Sequence, residues 1–146
     1  MGFHKIMCPV DFSPGSREAL VAAAELARDH DAPLVLAYVQ NPWERVINFQ
    51  LVPEVTQDAT DSEQAEFKKW EVDARARGAQ VTTLALSGAP WDQIVSAARK
   101  DPAIDLIVLG THGRTGLAHA LVGSVAEKVV RHAPCAVLVV RPREAR

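Results

Sequence analysis

The sequence predicts an α/β fold: a single-domain, three-layer sandwich in which helices cover both faces of a five-stranded parallel sheet. Three observations carry that prediction. Short apolar runs alternate along the chain with segments whose apolar residues recur at helical spacing, the order of a parallel sheet with crossover helices. The runs are nearly continuous in Val, Leu and Ile, as strands covered on both faces are. At 146 residues, 48% hydrophobic and 23% charged, the whole chain reads as one domain, 1–146, able to bury roughly 70% of its unfolded surface.

Each element has its own warrant. "KIMCPV" is the first apolar run, and Asp11 follows it. Ser13 suits a helix cap and Pro14 a first helical position, after which Leu20, Ala23, Ala24 and Ala27 share one face. "APLVLAYV" reads as the second strand, entered through Pro33. From Asn41 to Ala59 the period is lost and prolines intervene, so this stretch reads as a long excursion with room for a short helix. Thr60 and Glu63 have capping-box spacing; they open a helix that carries Phe67, Trp70 and Ala74 and stops at Gly78. "QVTTLALS" is the third strand. "GAPWDQIVSAARKD" then places Trp91, Ile94, Val95 and Ala98 on one helical face behind Pro90. "AIDLIVLG" is the fourth strand, and "CAVLVV" the fifth, ended by Pro142. Between them Val122, Val125, Ala126 and Val129 mark the last helix. No repeat, low-complexity tract or separating linker interrupts the series.

Composition narrows the function classes. A formal net charge of −2 lacks the concentrated basic surface that nucleic-acid binding requires. No apolar run approaches the roughly 20 residues of a membrane span. "MGFHKIMCPV" lacks the layout of a secretory signal, and Ile6 stands where myristoylation requires Ser or Thr. Cys8 and Cys135 lie inside apolar runs and read as small buried hydrophobes rather than a redox pair. The expected location is the cytoplasm, with neither nucleic acid nor membrane as partner.

Open parallel sheets bind ligands beyond the carboxyl ends of their strands, where the strand order reverses. Two segments fall at such ends: "CPVDFS" after the first strand and "GTHGRTG" after the fourth. In "GTHGRTGLAHALVGSVAEKVV", Gly110, Gly113 and Gly123-Ser124 read as G-x2-G-x9-G-S. Glycines admit a close backbone approach, and the unpaired N–H groups of a helix start attract phosphate. Ser124 with Glu127 also fits a capping box. This is neither a Walker loop nor a dinucleotide fingerprint. Arg114, in the same loop, suits a phosphate. Asp11 could cap the first helix, but Ser13 takes that role, which leaves the carboxylate for a ligand. His112 and His119 bring too few partners for zinc. Neither a carboxylate dyad, a nucleophile–base pair nor an activated cysteine stands in these loops, so binding is expected rather than catalysis.

"KIMCPVDFS", "LIVLGTHGRTGL" and "GSVAEKVVRHAPCAVLVVRP" resemble the universal stress protein family in its ATP-binding branch. The likeness covers the whole chain and is weakest over the 41–59 excursion. The resemblance implies a strand order of 3-2-1-4-5 and a nucleotide-dependent regulator or switch in a general stress response. It implies ATP as ligand, with a divalent cation such as magnesium; with no group in the loops placed to activate water, at most slow ATP hydrolysis is expected. Asp11 would hold the ribose hydroxyls. Pro9, Val10 and Val39 would flank the adenine, the Val39 backbone reading its polar edge. Leu109 and Gly110 would form the floor, and Gly113, Arg114, Gly123, Ser124 and Val125 would hold the phosphates. The resemblance also implies a homodimer paired through "CAVLVV". Ala126 offers no hydroxyl where some members add a phosphate contact, and Gly116 stands where members vary. A receiver domain would need clustered acids after the first strand, and an ATP-pyrophosphatase an S-G-G loop; the chain has neither. The rival reading is a dimeric, non-catalytic scaffold whose glycine loop merely packs and binds no nucleotide.

Overall fold

The computed structural model describes residues 2–40, 46–47, 50–51, 53–111 and 124–142. The first strand, β1 (Ile6–Val10), is buried along its whole length. Helix α1 (Pro14–Asp29) starts at the expected cap: the Ser13 hydroxyl accepts the Ser16 N–H at 3.2 Å. Its inner face is Ala19, Leu20, Ala23, Ala24 and Ala27, small enough for the helix to lie close on the sheet. Strand β2 (Pro33–Gln40) follows.

The excursion holds more structure than its sequence suggests. Strands β3 (Val46–Ile47) and β4 (Gln50–Leu51) pair antiparallel, and helix α2 runs from Pro53 to Ala76. Thr60 therefore lies inside a helix rather than capping one. The capping-box spacing of Thr60 and Glu63 is one that mid-helix residues also show, and Pro53 supplies the actual start, where its missing N–H costs nothing. The other end is as expected. Gly78 adopts φ +96°, where a side chain would be strained and would also meet the Arg28 stem at 3.0 Å. The Ala79 N–H then bonds back to the Ala74 carbonyl at 3.4 Å.

Strand β5 (Gln80–Ser87), helix α3 (Pro90–Lys100), strand β6 (Leu106–Gly110), helix α4 (Ser124–His132) and strand β7 (Ala136–Val140) complete the chain. The parallel sheet has the order β5-β2-β1-β6-β7. Counting only its own strands, that is 3-2-1-4-5. Side-chain alternation sorts the strands into two core layers. Ile6, Cys8, Leu34, Leu36, Leu106 and Val108 face α1 and α2. Met7, Val35, Ala37, Ile107 and Leu109 face α3 and α4, with Ile94, Val95, Ala126 and Val129 across from them. Each buried Leu or Ile contributes on the order of 1.5–3 kcal/mol.

At the centre of the sheet the pairing is uneven. β1 pairs with β2 as far as Val10↔Tyr38. Its ladder with β6 ends at Met7↔Ile107, and Pro9 just beyond has no N–H to offer. The opposite ends of the same two strands are tied. The Asp105 carboxylate accepts the backbone N–H groups of His4 (2.9 and 3.0 Å) and Lys5 (3.2 Å). The Asp105 N–H donates to the Lys5 carbonyl at 3.0 Å, and Lys5 Nζ meets Asp101 at 2.5 Å. β1 and β6 are thus laced together at their amino ends, while their ladder stops short of their carboxyl ends.

Candidate functional site

The carboxyl ends of β1 and β6, beyond that last rung, frame the candidate site. Asp11 is the first residue beyond β1. Its N–H donates to Ser16 Oγ at 2.9 Å, and its Oδ1 accepts the Ser13 N–H at 3.0 Å. The carboxylate therefore belongs to the turn that launches α1, while Ser13 provides the helix cap as expected. Phe12 makes the turn by entering the left-handed region, φ +66°. Tyr38 and Val39 are half-buried at the end of β2, on opposite faces of the strand.

Gly110 closes β6. A Cβ there would lie 2.6 Å from the Gly15 carbonyl carbon and 2.7 Å from its oxygen. Glycine is therefore required so that the first turn of α1 can rest on the end of β6, a packing demand in addition to any ligand. Thr111 follows, 1% exposed. Its N–H donates to the Val140 carbonyl at 3.1 Å. Its Oγ1 is buried and has no hydrogen-bond partner among the described residues. An unbonded buried hydroxyl is uncommon and costs roughly 1–3 kcal/mol in desolvation. It is also the kind of group that a polar ligand at this end of the sheet would satisfy.

Ser124, exposed, is the first residue of α4. Glu127, one turn on, accepts from Arg131 at 2.9 Å. Val125 is half-buried and packs on the same core layer as Val39 and Leu109. Ala126 is 1% exposed, so its small side chain belongs to the core under α4. Gly113, Arg114 and Gly123 lie outside the described residues, as do His112, Gly116, His119 and Val122.

Of the expected site residues, the topology brings Pro9, Val10, Asp11, Val39, Leu109, Gly110, Ser124 and Val125 to the carboxyl end of the sheet or the start of α4. Val10 and Leu109 are 5% and 4% exposed, in opposite core layers, so backbone is what they have to offer a ligand. Two residues escaped the sequence reading. Thr111 carried a weak signal, a hydroxyl directly after an apolar strand. Phe12 carried none, because a bulky left-handed residue has no sequence signature.

The cysteines are chemically quiet. Burial pushes the Cys8 thiol well above its ordinary range. Burial, then the neighbouring Asp105 charge, pushes Cys135 up as well. Cys135 is only partly buried, less enclosed than its apolar run suggests. Neither thiol has the depressed pKa of a nucleophile. Among the described residues no helix is long and apolar enough to cross a membrane.

Residues 2–141 match the profile of the Universal stress protein family. A universal stress protein of Methanocaldococcus jannaschii is 36% identical over 150 residues, covering 95% of this chain and 82% of its own length. Among solved structures, universal stress protein UspA from Lactobacillus plantarum superposes with a TM-score of 0.82 at 29% identity, covering 97% of this chain and 99% of its own. A universal stress protein crystallised in complex with cAMP superposes with a TM-score of 0.70 at 25% identity, covering 98% of this chain and 100% of its own.

Proposed function

The chain belongs to the universal stress protein family, and from that membership we propose that it binds ATP with a divalent cation such as magnesium at the carboxyl ends of β1 and β6, and serves as a nucleotide-dependent regulator in a stress response. The observation that carries this reading is the early end of the β1–β6 ladder at Met7↔Ile107. The ladder stops at the point of strand reversal, the usual ligand position in such folds. The buried Thr111 hydroxyl at that end, bonded by no described residue, fits a ligand rich in acceptor oxygens. The solved relative that holds cAMP supports an adenine nucleotide as the class.

In this reading the Asp11 carboxylate accepts the ribose hydroxyls, a role open to an acceptor-only group. Pro9, Val10 and Val39 flank the adenine, and Leu109 and Gly110 form the floor through their backbone. Gly113, Arg114, Gly123, Ser124 and Val125 hold the phosphates, the N–H groups that open α4 meeting negative charge. The cation, when bound, neutralises phosphate charge. The role assigned to the protein is binding.

Calorimetry with ATP and magnesium tests this directly. The wild-type chain is expected to bind, and Gly113→Val to abolish binding while its ligand-free melting temperature is kept. A wild-type chain indifferent to ATP, ADP and AMP would falsify the reading and leave the scaffold alternative.

A further inference from the structure

Phe12 holds a backbone conformation, φ +66°, that bulky residues enter only when their surroundings over-determine it. Those surroundings are aromatic. The Phe12 ring stacks on Tyr38, with centroids 5.0 Å apart and planes at 28°. It meets Trp70 edge-on at 5.3 Å and Phe67 at 6.5 Å. Trp70 is itself anchored: its indole N–H donates to Glu66 at 3.0 Å, and the Arg17 guanidinium lies 5.5 Å from its ring centre. Glycine or asparagine would make this turn unaided. Here packing against β2 and α2 imposes it.

The stack has informative neighbours. Asp11 directly precedes Phe12 and Val39 directly follows Tyr38, on adjacent strands in register at Val10↔Tyr38. We propose that Phe12 and Tyr38 are a positioning pair, whose stacking sets the Asp11 carboxylate relative to the Val39 backbone and so makes the site select a ribonucleotide over one lacking ribose hydroxyls. This rests on the reading of Asp11 and Val39 given above. A carboxylate that takes two hydroxyls of a sugar while a backbone edge takes the attached base tolerates only about 0.5 Å of relative drift. The ring pair carries the link between β1 and β2 one residue past the last rung of their ladder, Val10↔Tyr38, into the turn that holds Asp11. Of the residues assigned above to the phosphates, Ser124 opens α4 and Val125 packs on the opposite core layer from Phe12. The pair therefore governs sugar selection without governing the gain from phosphates.

The test is calorimetry with ATP, adenosine and a dideoxy-ATP lacking both ribose hydroxyls, on wild type, Phe12→Leu and Phe12→Tyr. Wild type is expected to favour ATP over the dideoxy form by roughly ten- to a hundredfold, the scale of hydrogen bonds to a charged group. Phe12→Leu keeps the apolar bulk but not the stacking; it is expected to fold and to bring that preference within about threefold, with the ATP-to-adenosine ratio unchanged. Phe12→Tyr is expected to restore it. Should Phe12→Leu not fold, Tyr38→Leu probes the stack from its other member. A wild-type preference retained in the leucine variants overturns the proposal. A wild type that binds ATP and the dideoxy form equally overturns the Asp11 reading and this proposal together, and a wild type that binds neither overturns the nucleotide site itself.

Discussion

The Thr111 hydroxyl is enclosed by protein and bonded by no described residue, which makes it the most direct single-residue probe of the crevice. Replacing an unsatisfied buried hydroxyl by an apolar group of the same shape is close to neutral for folding or stabilising. Thr111→Val is accordingly expected to leave the ligand-free melting temperature unchanged or to raise it by about 1–4 °C, while weakening ATP at least about tenfold; Thr111→Ser should preserve both. Thermal melts and calorimetry on the same samples read the two effects. A valine variant that melts lower and binds normally would mean that the hydroxyl serves the fold alone. Other residues were legible in advance. The Ser13–Pro14 pair marks its helix start, because capping chemistry is local and written in adjacent residues. Gly110 was legible as a glycine of consequence, but its steric partner, Gly15, lies far away in sequence, and only the packed fold brings the two together.

Among the elements, those with a buried face were readable from periodicity. The apolar positions of α1 and α3 are the residues the core takes up. The start of α2 was not readable, since "PEVTQDAT" carries few apolar residues to show a helical period. Strands of two residues, such as β3 and β4, are too short to show any period. The lacing between β1 and β6 was hidden for another reason: His4 and Asp105 are 101 residues apart. Its pH dependence follows from the direction of the Asp105 shift. Burial alone would raise that carboxyl's pKa, but the His4 imidazole and the backbone N–H groups of His4 and Lys5 outweigh it and hold it below the usual range. Asp101 is lowered in the same sense, chiefly by its bond from Lys5. A carboxyl with a depressed folded-state pKa stabilises the fold above the ordinary value, about 3.9, and loses that contribution as pH falls through the depressed one. Asp105→Asn should therefore melt below wild type near neutral pH, and the gap should narrow as melts are run from about pH 5 down to 2. A gap of constant size would exclude the charge as its source.

For the whole molecule, alternation of runs and helices predicts the three layers, whereas the strand order came from the family resemblance. Periodicity reports which faces are buried, not which strands are neighbours. β7 ends the sheet, and Leu138 upon it is 39% exposed, so we infer a homodimer paired through this edge, which would give the open strand a partner. Val137 packs inward against the α3/α4 layer, which makes Leu138 the cleaner site to perturb. Leu138→Lys is expected to lower the sedimentation coefficient to that of a monomer with the circular dichroism spectrum kept; an unchanged coefficient would move the interface elsewhere. Within the chain, the missing rung beyond Met7 follows a different logic from such an interface. A proline nitrogen has no hydrogen to lose or regain, so neither warming, salt nor acid can restore it as a donor at that rung. A nucleotide entering as proposed would have no zipper to undo there, and its departure would leave none to refasten.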